Sequence, residues 1–261
     1  MTEKLQSSVP HSARVYDYWL GGKDNFAVDR ELGDAIQQAV PAVPMMVSAN
    51  RAFMGRATRY LAKAGVRQFL DIGTGIPTRP NLHEVAQEIA PDARVVYVDN
   101  DPLVLVHARA LLTSTPQGRC EYLDADLHDP GSILRSTEVT GTLDLDRPVA
   151  VTFGSILMLL ADDNDPWGIV RQLMDAMPAG SYLVVSHPTG DMNPAAMAEV
   201  AAVTAQAGMT FVPRTKTDVA RFFEGYSWID PGLVPVLAWH PDDSPPQDPE
   251  AAYYWVGVAR T

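Results

Sequence analysis

The chain has 261 residues, of which 46% are hydrophobic, with a formal net charge of −12 and a single cysteine. Roughly three quarters of the surface of such a chain can be buried on folding, so no disulfide staples are needed, and Cys120 has no partner for one. The acidic balance and scattered Lys and Arg argue against a nucleic-acid partner, and no apolar run is long enough to span a bilayer.

The chain opens on "MTEKLQSSVPHSAR", which has no apolar core of a cleaved signal, so a cytoplasmic location is expected. The following "ARVYDYWLGG" reads as a short helix closed by Gly21 and Gly22. "KDN" then reads as a turn in which Asp24 or Asn25 caps the next helix. Val28, Leu32, Ala35, Ile36 and Ala39 form its apolar stripe, ended by "PAVP". A second helix turns Phe53, Met54, Ala57 and Leu61 inward and stops at Gly65. These helices, residues 1–65, are expected to pack on the remainder, residues 66–261, within one structural domain.

From residue 66 apolar strands alternate with amphipathic helices: "RQFLDI", "RVVYVD", "RCEYLD", "PVAVTF" and "SYLVVS". Such near-continuous apolar runs predict strands buried on both faces of a parallel sheet. Leu82, Val85, Ala86 and Ile89 recur at helical spacing after the first strand. Asp101-Pro102, Asp129-Pro130, Asp165-Pro166 and Asn193-Pro194 share one helix-start device: a capping side chain followed by a residue that lacks only an unused donor. Thr217 or Asp218 is expected to cap a last helix carrying Val219, Phe222 and Phe223 and ending at Gly225. "LVPVLAW" and "YYWVGVAR" have no helix between them and should pair antiparallel, with residues 240–252 as a surface loop. The pattern predicts an α/β, doubly wound, Rossmann-like sheet with one reversed strand.

"FLDIGTGIPT" carries the main chemical signal. A strand ending in Asp71 enters a turn whose Gly73 and Gly75 permit close approach of a ligand to the backbone. The second strand ends in "VDND", which places Asp99 where a carboxylate can accept two ribose hydroxyls, with Asn100 beside it. The third ends in "DADL", where Asp126 and the Leu127 amide suit an adenine edge. Thr78 stands where a dinucleotide fingerprint wants a small residue, and Pro77 removes a backbone donor that a pyrophosphate would use. A nucleoside without phosphates fits better, and S-adenosylmethionine is the cofactor expected.

On these residues the chain resembles class I S-adenosylmethionine-dependent methyltransferases. More narrowly, it resembles the S-adenosyl methyltransferase family once treated as a domain of unknown function. "SARVYDYWLGGKDNFAVDRE", "NRAFMGRATRYL", "FLDIGTGIPT", "VVYVDNDPLVLVHARALL", "DPGLVPVLAW" and "YYWVGVAR" carry the resemblance across nearly the whole chain. It implies a seven-stranded sheet in the order 3-2-1-4-5-7-6 with the last strand antiparallel. It also implies a cofactor lying across the ends of the first three strands, at Gly73, Gly75, Asp99, Asp126 and Leu127. The family pattern often carries a histidine after the fourth strand; this chain has Met158.

The N-terminal stretch then reads as a lid over the cofactor. Lys23 or Arg51 would pair with its carboxylate, Tyr16, Tyr18 or Trp19 would cover it, and Gly22 and Asp71 are counted among the cofactor-binding residues. A fixed aromatic arm is the other reading. On the acceptor side, Ser155, His187 and Asp191 stand at the ends of the fourth and fifth strands, and His187 is a candidate general base. No metal-ligand spacing is present. The expectation is methyl transfer to a small-molecule acceptor. The alternatives are a non-catalytic cofactor-binding regulator, for which Met158 speaks, and an NAD-dependent oxidoreductase.

Overall fold

The computed structural model describes residues 7–111, 113–242 and 247–261, with the backbone alone for 108–111. Five parallel strands form its centre: β1 (Gln68–Ile72), β2 (Arg94–Asp99), β3 (Arg119–Asp124), β4 (Ala150–Gly154) and β5 (Tyr182–Pro188). A long antiparallel strand, β8 (Tyr254–Arg260), runs beside β5. Two short pieces pair with its other edge, β6 (Ser227–Trp228) and β7 (Val234–Pro235). The order is β3-β2-β1-β4-β5-β8-β6, with β7 also on β8. This is the expected Rossmann-like sheet, except that "LVPVLAW" supplies only the two residues of β7. The rest of that segment turns inward instead, and its Trp239 is fully buried. The extra strand β6 makes the sheet eight-stranded.

Alternate residues of each strand serve opposite faces. Phe69, Val95, Ala150, Val184 and Val256 pack on one side, against α2 (Ala27–Ala39), α3 (Val43–Lys63), α4 (Leu82–Ile89) and α9 (Pro194–Gln206). Leu70, Val96, Val151, Leu183 and Ala259 pack on the other, against α6 (Pro130–Arg135), α7 (Thr137–Thr142) and α8 (Pro166–Asp175). All five residues of β1 are buried. Burying both faces selects the apolar, β-branched runs visible in the sequence.

The four predicted Asp/Asn-Pro starts all form. Asp101 accepts from the Leu103 amide at the head of α5 (Pro102–Leu111), Asp129 from Ser132, Asp165 from Gly168 and Asn193 from Ala196. The last cap is Thr215 rather than Thr217 or Asp218, because α10 (Lys216–Ala220) begins two residues earlier than expected.

The N-terminal helix α1 (Ser12–Trp19) is fastened by charge. Arg14 lies between two carboxylates, with Nε 3.2 Å from Asp101 Oδ2 and Nη1 3.8 Å from Asp29 Oδ2, all three side chains at most 3% exposed. These are charge contacts without hydrogen-bond alignment. His11 Nδ1 also lies 3.2 Å from Asp101 Oδ2. Asp29 accepts from the amides of His11 and Phe26 and so caps α2. Asp24 and Asn25, expected in that role, instead donate to the buried carboxylate of Asp17. Asp29 and Gly33 are buried while Ala35 is exposed, so the buried stripe of α2 is rotated from the expected one.

Arg14→Met should therefore leave Asp29 and Asp101 without their cation and cost about 3 kcal/mol, the loss typical of a broken buried ion pair. Urea denaturation would measure the loss, and limited proteolysis should cut the variant first between α1 and α2.

Candidate functional site

The carboxyl ends of the parallel strands open into one cavity of about 730 Å³, within the range of small-molecule sites. The glycine turn after β1 forms its floor. Gly73 and Gly75 hold φ of +70° and +69°, a region that L side chains avoid. A Cβ on Gly73 would collide with Ile156, whereas one on Gly75 would meet no protein atom within 4 Å. Gly75 thus offers bare backbone to the cavity.

Asp99 fixes this turn from the end of β2. Its Oδ2 accepts from the Gly75 amide at 2.7 Å and its Oδ1 from the Asp101 amide at 3.0 Å. Burial raises its pKa, and the two amide bonds oppose that shift. Asp71 is likewise raised by burial while Thr152 and Thr74 donate to its two oxygens. Asp126 stands more open: partial burial pushes its pKa up, but the amide and imidazole of His128 bring it below the ordinary carboxylate range. Asn100 and Leu127 complete this edge.

Arg51, on α3, lines the same cavity and donates through Nη2 to the carbonyls of Thr78 and Pro80, at 2.5 and 3.2 Å. It thereby ties α3 to the loop beyond the glycine turn. Tyr16 reaches the cavity from α1, donating to Val47 O and accepting from Asn50 Nδ2. Gly22 and Lys23 do not line the cavity. Lys23 is exposed, and Gly22 is required for another reason: a Cβ there would strike the Asp17 carboxylate. Trp19 borders the cavity, while Tyr18 turns away to donate to Asp34.

His187 is not placed as a base. It is fully buried and absent from the cavity wall, with Nδ1 2.8 Å from Pro188 O and Nε2 3.0 Å from Arg214 Nη1. A guanidinium can only donate, so Nε2 is the acceptor and the proton sits on Nδ1. Burial lowers its pKa to about 3. Arg214 also donates to the carbonyls of Leu157 and Leu160, which line the loop after β4. His187 therefore helps to hold that loop. Asp191 is exposed, and its Oδ2 accepts from the Lys216 amide and Trp255 Nε1, away from the cavity.

Sequence reasoning overlooked a polar chain in the cavity wall. The Ser155 amide donates to Ser186 Oγ, Ser186 Oγ to Asn50 Oδ1, and Asn50 Nδ2 to Tyr16. Ser155 Oγ lies 2.7 Å from the Tyr254 hydroxyl. Asn50 sits in a quoted motif, yet nothing local marks it: its partners lie 34 and 136 residues away. Among the described residues no cluster of His, Cys, Asp and Glu is placed to hold a metal, and no helix is long and apolar enough to cross a membrane. Burial raises the Cys120 thiol to about 12, which makes it inert.

The depressed His187 pKa has a thermodynamic consequence. Below about pH 6.5 the unfolded chain takes a proton that the folded chain refuses, so folding stability falls as pH falls from there toward 3. His187→Gln should flatten this loss, by up to about 1.4 kcal/mol per pH unit, in urea titrations between pH 6 and 4.

The S-adenosyl methyltransferase family model matches residues 1–261. A DUF574 family protein from Streptomyces avermitilis MA-4680 is 48% identical, with a TM-score of 0.96 over 98% of this chain and 99% of that one. A candidate methyltransferase from Thermobifida fusca YX is 38% identical, with a TM-score of 0.90 over 98% and 97%. The plantazolicin methyltransferase BpumL, in complex with SAH, shares the fold at 10% identity and a TM-score of 0.52, over 95% of each chain. No curated protein is significantly similar in sequence. The buried carboxylates, the bare Gly75 backbone and Arg51 fit a ligand with a ribose, a cationic centre and a carboxylate, as S-adenosylmethionine is. With the match running over its whole length, the chain belongs to the S-adenosyl methyltransferase family and is an S-adenosylmethionine-dependent methyltransferase.

Proposed function

We propose that the chain methylates a small-molecule acceptor bound over β4 and β5, beside a cofactor bound over β1, β2 and β3. The observation that carries this reading is that one cavity joins the two regions, from Asp99 and Leu127 at one end to Tyr254 and Met197 at the other. When bound, S-adenosylmethionine supplies a methyl group on a positively charged sulfur. The chain's own residues bind and orient. Asp99 accepts from the ribose hydroxyls with the lone pairs that Gly75 and Asp101 leave free. Asp126 and the Leu127 amide face the adenine. Asp71 lies nearest the cationic part, and Arg51, whose hydrogen bonds to protein all come from Nη2, presents its other nitrogens to the carboxylate.

Helices α1, α2 and α3 act as a lid on the body formed by residues 66–261; of the expected lid segment 1–65, residues 1–6 lie outside the described residues. Tyr16 and Trp19 close the cavity from above, and the Arg14 clasp sets the closed position. With His187 sequestered, rate acceleration comes from alignment and exclusion of water rather than from a histidine base. The net charge of −12 and the dispersed basic residues favour a small acceptor over nucleic acid.

Calorimetric titration with S-adenosylhomocysteine tests the cofactor assignment. Asp99→Asn keeps an oxygen for the Gly75 amide but loses charge and one acceptor, so affinity should fall at least tenfold, about 1.4 kcal/mol. Asp191→Asn should leave affinity within twofold. Unchanged binding in Asp99→Asn would remove Asp99 from the ribose site.

A further inference from the structure

The acceptor half of the cavity has a chemistry of its own. Its walls come from α2, α3, α9 and the segment after α9, through Ile36, Met46, Val47, Met197, Val200 and Phe211. The cavity's charged groups are engaged elsewhere. Asp71, Asp99 and Asp126 belong to the cofactor edge, Arg51 is bound to the loop beyond the glycine turn, and Arg79 of that loop pairs with Glu84. Asp17 accepts from Asp24 and Asn25 after α1, and Arg59 pairs with Asp242 in a solvent-exposed contact. A charged guest in the apolar half would lose its hydration without gaining a counter-ion. A neutral guest would lose nothing comparable, and methionine walls adapt to irregular shapes.

One polar feature interrupts these walls, and its hydrogen bonds can be counted. Tyr16 donates to Val47 O, so Asn50 Nδ2 must donate to Tyr16, and Asn50 Oδ1 therefore faces Ser186. Ser186 gives its proton to Asn50 and accepts the Ser155 amide. Every donor along this branch is assigned in one direction, and the branch ends on the Ser155 amide, whose residue holds φ +58°. Glycine would hold that conformation without strain; what serine adds is a hydroxyl. Ser155 Oγ and the Tyr254 hydroxyl bring two protons, and their mutual bond uses one. If Tyr254 gives the shared proton, that of Ser155 has only Met158 Sδ at 3.8 Å, a weak acceptor; if Ser155 gives it, the Tyr254 proton is left for a guest. Lone pairs on both oxygens are also spare.

Given the methyltransferase reading above, we propose that this chamber takes a neutral, largely apolar alcohol or phenol whose hydroxyl docks on the Ser155–Tyr254 pair. The pair holds the hydroxyl by giving one proton and accepting another. It is a positioning device: burial raises the Tyr254 pKa well above its ordinary value, so the phenol keeps its proton. The rigid branch through Ser186 and Asn50 links acceptor placement to Tyr16 of the lid.

The test is calorimetry on the full chain saturated with S-adenosylhomocysteine, titrated with phenol, 2-naphthol and 4-phenylphenol, and with benzoate and 2-naphthoate as matched anions. At least one neutral probe should bind at least tenfold more tightly than its anionic counterpart. Tyr254→Phe and Ser155→Gly, the latter suited to a positive φ, should each weaken that probe at least fivefold. Met197→Trp, which fills the chamber, should abolish its binding. S-adenosylhomocysteine affinity should stay within twofold in all three variants. The proposal is overturned if no neutral probe binds, if the anions bind as well, or if removing either hydroxyl changes nothing. Failure of wild-type protein to bind S-adenosylhomocysteine would instead overturn the cofactor assignment, so the two failures are distinguishable.

Discussion

The carboxylate of Asp99 holds the site together. One oxygen accepts the Gly75 amide of the turn after β1, and the other accepts the amide of Asp101. Asp101 in turn caps α5 and meets Arg14 and His11 of the N-terminal segment. Within three residues of chain, a strand end therefore fixes the glycine turn, starts a helix and receives the N-terminal helix. Burying such groups is costly unless each is paired; here each oxygen of Asp99 accepts an amide, and Asp101 Oδ2 has Arg14 and His11 beside it.

Beyond this acidic edge the cavity changes character. The loop after β4 is braced from behind by Arg214, which donates to two of its carbonyls and to His187. Trp167 and Phe222 flank the same guanidinium. A histidine at a strand end thus has a task unrelated to proton transfer: its unprotonated Nε2 is one of the acceptors that satisfy a buried arginine. The same loop carries Ile156 against the glycine turn, where it leaves no room for a side chain at Gly73.

The sheet and the convergence of Asp71, Gly73, Gly75, Asp99 and Asp126 on one cavity were legible in the sequence because their signals are local. Strand ends, capping residues and turn glycines follow one another within a few positions, and all four Asp/Asn-Pro starts form as read. Where several donors competed for one acceptor, the sequence was ambiguous: Asp17 captured Asp24 and Asn25, leaving Asp29 to cap α2. The segment "LVPVLAW" has strand composition, but Trp239 is drawn into the core beside Phe53, and the ladder stops after two residues. The roles of Asn50, Tyr254 and Arg214 depend on partners far away in sequence, so no spacing rule could expose them. His187 shows the converse, since its residue type and strand-end position suggested chemistry that its surroundings forbid.

The position of β8 has a consequence for how the protein comes into being. This strand follows β6 and β7 in the chain, yet it inserts between them and β5. A chain made from its N-terminus can assemble β1 to β5, and with them the glycine turn and its three carboxylates, while residues 254–260 are still inside the ribosome. Until those residues emerge, β5 has a bare edge and β6 and β7 have nothing to pair with. Tyr254 arrives with that same strand. Closure of the sheet and placement of Tyr254 beside Ser155 are thus a single event, and the glycine turn with its carboxylates can form before that wall of the cavity is in place.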